Sequence, residues 1–148
     1  MIGPRDGREP EVVIEAPAVP LEPRIEDRLR SELGRCPDLA FAHLPQVRVP
    51  ELQPAPQLTL FVWLVPEALG SLRGALNLVC EAVARALPEN RFLDVAILNS
   101  APEMLAEVEA AGCLLVERDP GERQRARAAA DELGPGDGEA RSRRRWPW

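Results

Sequence analysis

The chain has 148 residues, of which 45% are hydrophobic and 28% charged, with a formal net charge of −6 at pH 7. These values are typical of one soluble globular domain with tails, and the negative charge argues against a general nucleic-acid-binding protein. No apolar run reaches the roughly 18 residues of a membrane-spanning helix, so we expect no membrane segment. The first ten residues lack an apolar signal-peptide segment, and we therefore expect a cytoplasmic protein.

The ends of the chain differ in composition from its middle. Residues 1–20 carry four prolines and two glycines around a small apolar patch at 12–14. This pattern is typical of a mobile arm or of a short added edge strand, and we favour the arm. Residues 21–133 form the predicted domain. Residues 134–148 have a composition that cannot bury a core, so they predict a disordered tail.

The first half of the domain alternates between helical and extended patterns. Residues 23–33 place apolar side chains at helical spacing, and 38–44 is a short apolar strand pattern. Four prolines within 45–56 predict an extended loop. The clearest strand is 57–65, with apolar residues on both faces, as in a central strand. Residues 67–87 predict one long helix that includes Leu69 on its inner stripe.

The second half predicts strand, helix, strand and helix, with a signal at each junction. A strand over 92–98 ends in Asn99-Ser100, which we interpret as the N-cap of a helix that starts at Ala101. Gly112 supplies a left-handed stop before a strand over 113–116, and Asp119-Pro120 caps the last helix. The sequence therefore predicts an α/β fold with a small mixed sheet of about four strands and flanking helices.

The phrases LDVAILNSAP and GCLLVERDPGER resemble the C-terminal half of the minimal nucleotidyltransferase family, small members of the polymerase-β-like superfamily. That family typically shows a strand ending in Leu-Asn, an Ala-Pro-Pro-Leu-Leu helix and a Gly-x-Leu-Leu-Tyr-Glu-Arg-Asp ending. The matching residues are Asp94, Asn99, Ala101, Pro102, Leu105, Gly112, Leu114, Leu115, Glu117, Arg118, Asp119 and Pro120. The resemblance implies a nucleotidyltransferase-like fold. A rival match, to the C-terminal domain of SseB-like proteins, accounts less well for the segment after Asn99.

The family's catalytic motifs are degenerate in this chain. An ungapped overlay puts Pro45 and Gln46 at the family's Gly-Ser turn, and Gln57 and Thr59 at its two magnesium-binding aspartates. Only Asp94 remains, at the third-carboxylate position; without its partners we interpret it as a surface carboxylate rather than a metal ligand.

These replacements remove the chemistry that the resemblance would imply. Pro45 has no N–H to offer a phosphate, and Gln57 and Thr59 carry no charge for a hard divalent cation. Metal assistance contributes several kcal/mol to such a reaction, and about 1.4 kcal/mol is already tenfold in rate. We therefore predict a pseudoenzyme that needs no cofactor. The alternative is a residual nucleotide-binding or transferase activity around Asp94, which would use ATP and magnesium.

Other candidates have ordinary structural interpretations. His43 is the only histidine and could be a base, but we favour a packed or half-exposed strand residue. Phe61 and Trp63 could form a ligand floor, although core packing is favoured. Glu51 and Glu67 lie near the degenerate motif in sequence, and we interpret both as solvated acids.

The three cysteines have no metal-binding or disulfide spacing. Cys36, Cys80 and Cys113 are far apart in sequence and lack a Cys-x-x-Cys pattern. We predict buried, reduced thiols at all three positions.

The end of the chain is the most singular local feature. Arginine and tryptophan are residue types that dominate protein interfaces. Clustered arginines can also bind phosphates, and tryptophans can stack on nucleic-acid bases. The candidate interaction residues are Arg143, Arg144, Arg145, Trp146 and Trp148. The alternatives are a disordered end without a role, a protein contact and an accessory nucleic-acid contact; of the two contacts we favour the protein, because the domain is acidic.

The leading hypothesis is an interaction protein that binds a partner or forms a homo-oligomer. Members of the resembled family are often antitoxins of a toxin–antitoxin pair whose other component is a HEPN-domain protein. The resemblance therefore implies a HEPN-type protein as a candidate partner.

Overall fold

The computed structural model describes residues 12–49 and 53–133. The predicted Arg/Trp tail, Glu51 and most of the predicted N-terminal arm lie outside these residues. The described part is a mixed α/β fold in which helices cover both faces of one sheet. The sheet has six strands instead of the predicted four, because two segments assigned to loop and arm also pair into it.

A long β-hairpin forms the centre of the sheet. β2 (Leu39–His43) and β3 (Gln46–Val49) follow each other along the same edge of β4 (Gln53–Leu64). Thr59 N donates to Pro45 O at 3.0 Å, which continues the ladder between β2 and β3. The predicted loop over 45–56 is therefore wrong. Pro45 is tolerated because it supplies only the acceptor half of its pair with Thr59.

Three short strands complete the sheet. β1 (Val13–Glu15) pairs antiparallel with β3, and β6 (Leu114–Glu117) pairs antiparallel with β2. β5 (Asp94–Ile97) pairs parallel with the other side of β4. Of the two alternatives for 12–14, the edge strand is the one that this segment adopts. β5 begins later than predicted, and Phe92 before it is 87% exposed.

Two helices cover one face of the sheet. α1 (Pro23–Leu33) has the predicted bounds and buries the predicted side chains, which are Ile25, Leu29 and Leu33. α2 (Leu72–Ala86) is shorter than predicted, since a 3-10 helix (Pro66–Ser71) precedes it. Ser71 leaves helical geometry (φ −132°, ψ 55°), so the two segments do not share one stripe. Leu69 is consequently 46% exposed, contrary to its predicted place in the core.

The other face carries α3 (Leu105–Ala110) and α4 (Pro120–Leu133). The predicted helix start at Ala101 is wrong, because two 3-10 turns come first and Asn99 is not an N-cap. Two junction signals are confirmed: Gly112 has a φ of 70°, and Asp119 Oδ1 accepts a hydrogen bond from Glu122 N at 3.0 Å. The apolar side chains of α3 and α4 pack onto Phe41 and Phe61.

The three cysteines are free thiols, but they are not uniformly buried. Cys36 is buried, Cys113 is half-buried and Cys80 is exposed on α2. The prediction of three buried thiols is therefore wrong for Cys80. Its helix turns this position away from the stripe that contacts the sheet, whereas the neighbouring Val79 lies on that stripe.

Candidate functional site

The degenerate motif positions lie side by side on three neighbouring strands. Pro45 and Thr59 are paired across the hairpin, and Thr59 is in register with Asp94 of β5. Gln57 lies two residues before Thr59 and pairs with Val47. The structure thus brings together positions that are far apart in sequence.

The side chains at these positions do not converge on one open cleft. Thr59 is 1% exposed and lies on the face of Phe61, which α3 and α4 cover. Asp94 shares that face, because β-strand side chains alternate, but it is exposed to solvent. Gln46 points to the opposite face and is used structurally: its Nε2 donates to Glu15 Oε2 at 2.6 Å, and its Oε1 accepts from Ala18 N at 3.0 Å.

These positions therefore offer one carboxylate, from Asp94, beside a buried hydroxyl. Within residues 12–49 and 53–133, no group of three His, Cys, Asp or Glu side chains is arranged to hold a metal ion. Proteins usually bind magnesium through one or two carboxylates together with the phosphates of a substrate. The described motif positions supply only one exposed carboxylate for such a site.

A polar network that starts at the buried His43 lies on the same face of the sheet. His43 Nε2 is 3.2 Å from Glu109 Oε2, which belongs to α3. Arg123 of α4 forms a bidentate pair with Glu109, at 2.7 Å from Nη2 to Oε1 and 3.0 Å from Nε to Oε2. Arg123 Nη1 also donates to Glu117 Oε2 of β6 at 2.7 Å. The network joins two strands and two helices.

The electrostatics hold Glu109 in its ionised form. Burial alone would raise the pKa of this carboxyl, but hydrogen bonds from His43 and Arg123 and their charges outweigh it and lower the pKa to about 2. The hydrogen bond to Glu109, with a further one to Glu117, raises the pKa of Arg123. An ionised carboxylate can only accept, so His43 Nε2 carries the proton that lies between them.

The environment of His43 does not suit catalysis on a dissolved substrate. Its side chain is 1% exposed, and its Nδ1, like Thr59 Oγ1, has no hydrogen-bond partner within the described part of the chain. A general base must reach the proton it removes, directly or through one water. We favoured a packed or half-exposed strand residue, and the burial of His43 fits the packed alternative. The sequence did not indicate its partners Glu109 and Arg123, because each belongs to a different helix.

The two aromatic candidates belong to the core. Phe61 is fully buried, and the ring of Trp63 stacks on Phe41 with centroids 5.9 Å apart and an interplanar angle of 8°. Trp63 Nε1 donates to Glu122 Oε2 at 3.0 Å, which ties β4 to the first turn of α4. These contacts fit core packing, the favoured alternative for both residues.

The Glu-Arg-Asp-Pro segment of the family-like block has local structural roles. Arg118 donates to Gly34 O at 2.9 Å and to Leu39 O at 3.2 Å, linking the end of α1 to the start of β2. Glu117 pairs with Arg123, and Asp119 caps α4. Residues Glu117, Arg118 and Asp119 of the segment that resembles the family therefore stabilise the fold through these contacts.

An apolar groove lies between the second half of α2 and β5. It has a volume of about 340 Å³, and we call it the β5 groove. Its apolar lining includes Val83, Ala84, Leu87, Pro88, Phe92, Leu93 and Val95. The sequence analysis missed this feature, because it placed Phe92 inside a strand. The sequence did contain a signal: Arg91 and Asp94 are charged residues on either side of Phe92-Leu93, and such flanking charge is typical of a segment at the surface.

The remaining candidates are surface residues or lie outside the described ranges. Glu67 is exposed in the first turn of the 3-10 helix. The tail candidates Arg143, Arg144, Arg145, Trp146 and Trp148, and also Glu51, fall outside residues 12–49 and 53–133. No helix in the described part of the chain is both long and apolar enough to cross a membrane.

Comparison of the chain with protein-family models, with the curated proteins and with solved structures finds no match.

Proposed function

We propose that this chain is a catalytically degenerate, nucleotidyltransferase-like protein that acts by protein–protein interaction in the cytoplasm. Its partner is a HEPN-type protein or another copy of the chain, and its action is antitoxin-like in the first case. It uses no cofactor. The family assignment within this proposal derives from the motif resemblance in 92–123.

The observation that carries the proposal is the state of Thr59. This residue stands where the family has a metal-binding aspartate, yet it is neutral and 1% exposed, on the sheet face that carries α3 and α4. A carboxylate buried there without a partner would cost far more than a hydroxyl. The neighbouring Pro45 carbonyl already accepts from Thr59 N, so the backbone at this point is used by the sheet.

The surface near β5 supports a role in binding. A groove of about 340 Å³ with an exposed phenylalanine on its rim is the kind of feature that marks interaction sites on soluble domains. It lies on the α2 face of the sheet, whereas Thr59 faces α3 and α4. Binding through this groove would therefore leave the degenerate motif uninvolved.

Affinity purification of the tagged chain from its own cells tests the proposal directly. We expect a near-stoichiometric second protein with a HEPN-type domain, or a homo-oligomer, to elute with it. A chain that is purified without a second protein under gentle conditions, and that also stays monomeric up to about 1 mM, would contradict the proposal.

Residual nucleotide binding around Asp94 is the second candidate function. It is favoured by one observation: Asp94 is exposed, and the structure gives its carboxylate no ion pair with another described residue. Calorimetric titration with ATP and magnesium separates the two candidates. Our proposal expects no saturable heat, whereas metal-dependent binding that is lost in Asp94→Asn would establish the second candidate instead.

A further inference from the structure

The β5 groove combines a projecting side chain and a cavity on one patch of surface. Phe92 is 87% exposed at the rim, and the apolar groove beside it is large enough for an aromatic ring. In a dimer with two-fold symmetry, the projecting side chain of each copy can enter the cavity of the other, so one patch that carries both is complementary to itself. We propose that a second copy of this chain docks here, with Phe92 of each protomer inserted into the groove of the other.

The sheet edge next to the groove suits the same arrangement. β5 pairs with β4 on one side, and no other strand of the described residues pairs with it on the other. An open edge is a template for pairing with another chain. Two β5 strands related by a two-fold axis run antiparallel, so their edges can pair while the Phe92 rings exchange. This inference deepens the proposed function and rests on it, since it names the partner of the interaction surface.

The charges on the rim also favour a second copy. Glu89 and Arg91 both line the groove, and neither forms an ion pair with any other residue in the described ranges. A two-fold axis through the patch can set Arg91 of one protomer against Glu89 of the other, and the reverse. A nucleic acid or an anionic lipid surface would leave Glu89 opposed by like charge.

The size of the patch limits the affinity. Ten residues line the groove, compared with about 20–30 on each side of a standard interface. We therefore expect a dissociation constant in the micromolar range, with most of the affinity carried by Phe92 as an aromatic anchor. Strand β5 is only four residues long, so pairing between the two β5 edges fixes the relative position of the protomers more than it raises the affinity.

Sedimentation equilibrium on the full chain, from about 1 µM to about 1 mM, tests the dimer. The wild type should pass from monomer to dimer within this range, and Phe92→Glu should weaken the dimer by at least about tenfold. Val19→Glu is the matched control, because Val19 is 80% exposed and lies outside the groove. It should leave the dimer unchanged. A wild type that stays monomeric, or a dimer that Phe92→Glu does not weaken, would overturn the inference.

A charge swap tests the orientation. Glu89→Arg and Arg91→Glu should each weaken the dimer several-fold, and the double variant, whose net charge equals that of the wild type, should recover it. Failure of the double variant to recover would overturn the two-fold arrangement. The outcome for the dimer is distinguishable from the outcome for the proposed function. If the chain is monomeric but still elutes with a different protein, the dimer is refuted and the proposed role in protein interaction stands.

Discussion

The side chain of Asn99 acts as a strand partner for the backbone of Leu64. Leu64 N donates to Asn99 Oδ1 at 2.8 Å, and Asn99 Nδ2 donates to Leu64 O at 3.1 Å. Asn99 follows β5, and Leu64 is the last residue of β4, so this amide takes the ladder position that β5 leaves when it ends. A carboxamide suits the position because it has both a donor and an acceptor, as a peptide group does.

Replacing Asn99 with alanine should lower the free energy of unfolding by about 2 kcal/mol. Two hydrogen bonds are lost, and the backbone N–H and C=O of the fully buried Leu64 are left without these partners. Chemical denaturation of the variant measures the change. Ser100→Ala, at the exposed neighbouring position, is the control and should change stability by less than about 0.5 kcal/mol. Equal effects of the two substitutions would show that the Asn99–Leu64 pairing contributes nothing.

Glu109 should make the domain less stable in acid. Its pKa is about 2 in the folded chain, against an ordinary value of 4.5, and its side chain is 14% exposed. A depressed carboxyl pKa stabilises the fold fully above the unfolded value and loses this contribution as pH falls towards the folded value. We expect up to about 3 kcal/mol to be lost between roughly pH 5 and pH 2.

Glu109→Gln separates this contribution from those of other carboxyls. The variant should be less stable than the wild type by about 3 kcal/mol at neutral pH, because Arg123 and His43 lose their shared partner. The two proteins should converge only as the pH falls to about 2 and below, where the folded wild type also binds the proton. Thermal unfolding followed across the pH range measures both effects, and a constant difference at every pH would contradict the role assigned to Glu109.

Thr59→Val should stabilise the domain. Thr59 Oγ1 is buried and has no partner in the described part of the chain, so the hydroxyl adds a desolvation cost that a methyl group does not. We expect a gain of about 1 kcal/mol in urea denaturation. Thr59→Asp introduces the acidic residue that the resembled family has at this position and should cost at least about 3 kcal/mol, since it buries a charge. An Asp variant as stable as the wild type that also binds Mg-ATP would favour the residual nucleotide site.

Two glycines should respond in opposite directions to the same substitution. Gly112 has a φ of 70°, whereas Gly74 lies inside α2, and neither has an atom within 4 Å of an added Cβ. Gly112→Ala should destabilise by about 1–2 kcal/mol through backbone strain alone. Gly74→Ala should stabilise by about 0.5–1 kcal/mol through helix propensity. Melting temperatures of the two variants measure this, and a stabilising Gly112→Ala would exclude the left-handed turn.

The sequence predicted correctly those elements that depend only on residues close together in the chain. The stripe of Ile25, Leu29 and Leu33 predicted α1 with its observed bounds, because an amphipathic period depends only on its own segment. Gly112 and Asp119 were identified for the same reason, since a left-handed turn and an N-cap are local. Asn99 has a typical capping side chain, but its partner is 35 residues away, so the local signal was misleading.

The sequence by itself determined the helices and strands that have their own period, the mixed α/β class and the lack of charge at Pro45, Gln46, Gln57 and Thr59. Only the tertiary structure decided that the proline-rich segment after Pro45 joins a long hairpin and that Glu109 binds both His43 and Arg123. It also decided that Phe92 stands at an open sheet edge. Propensity, periodicity and charge are properties of short segments, whereas pairing, burial and exposure depend on which distant segments share a surface.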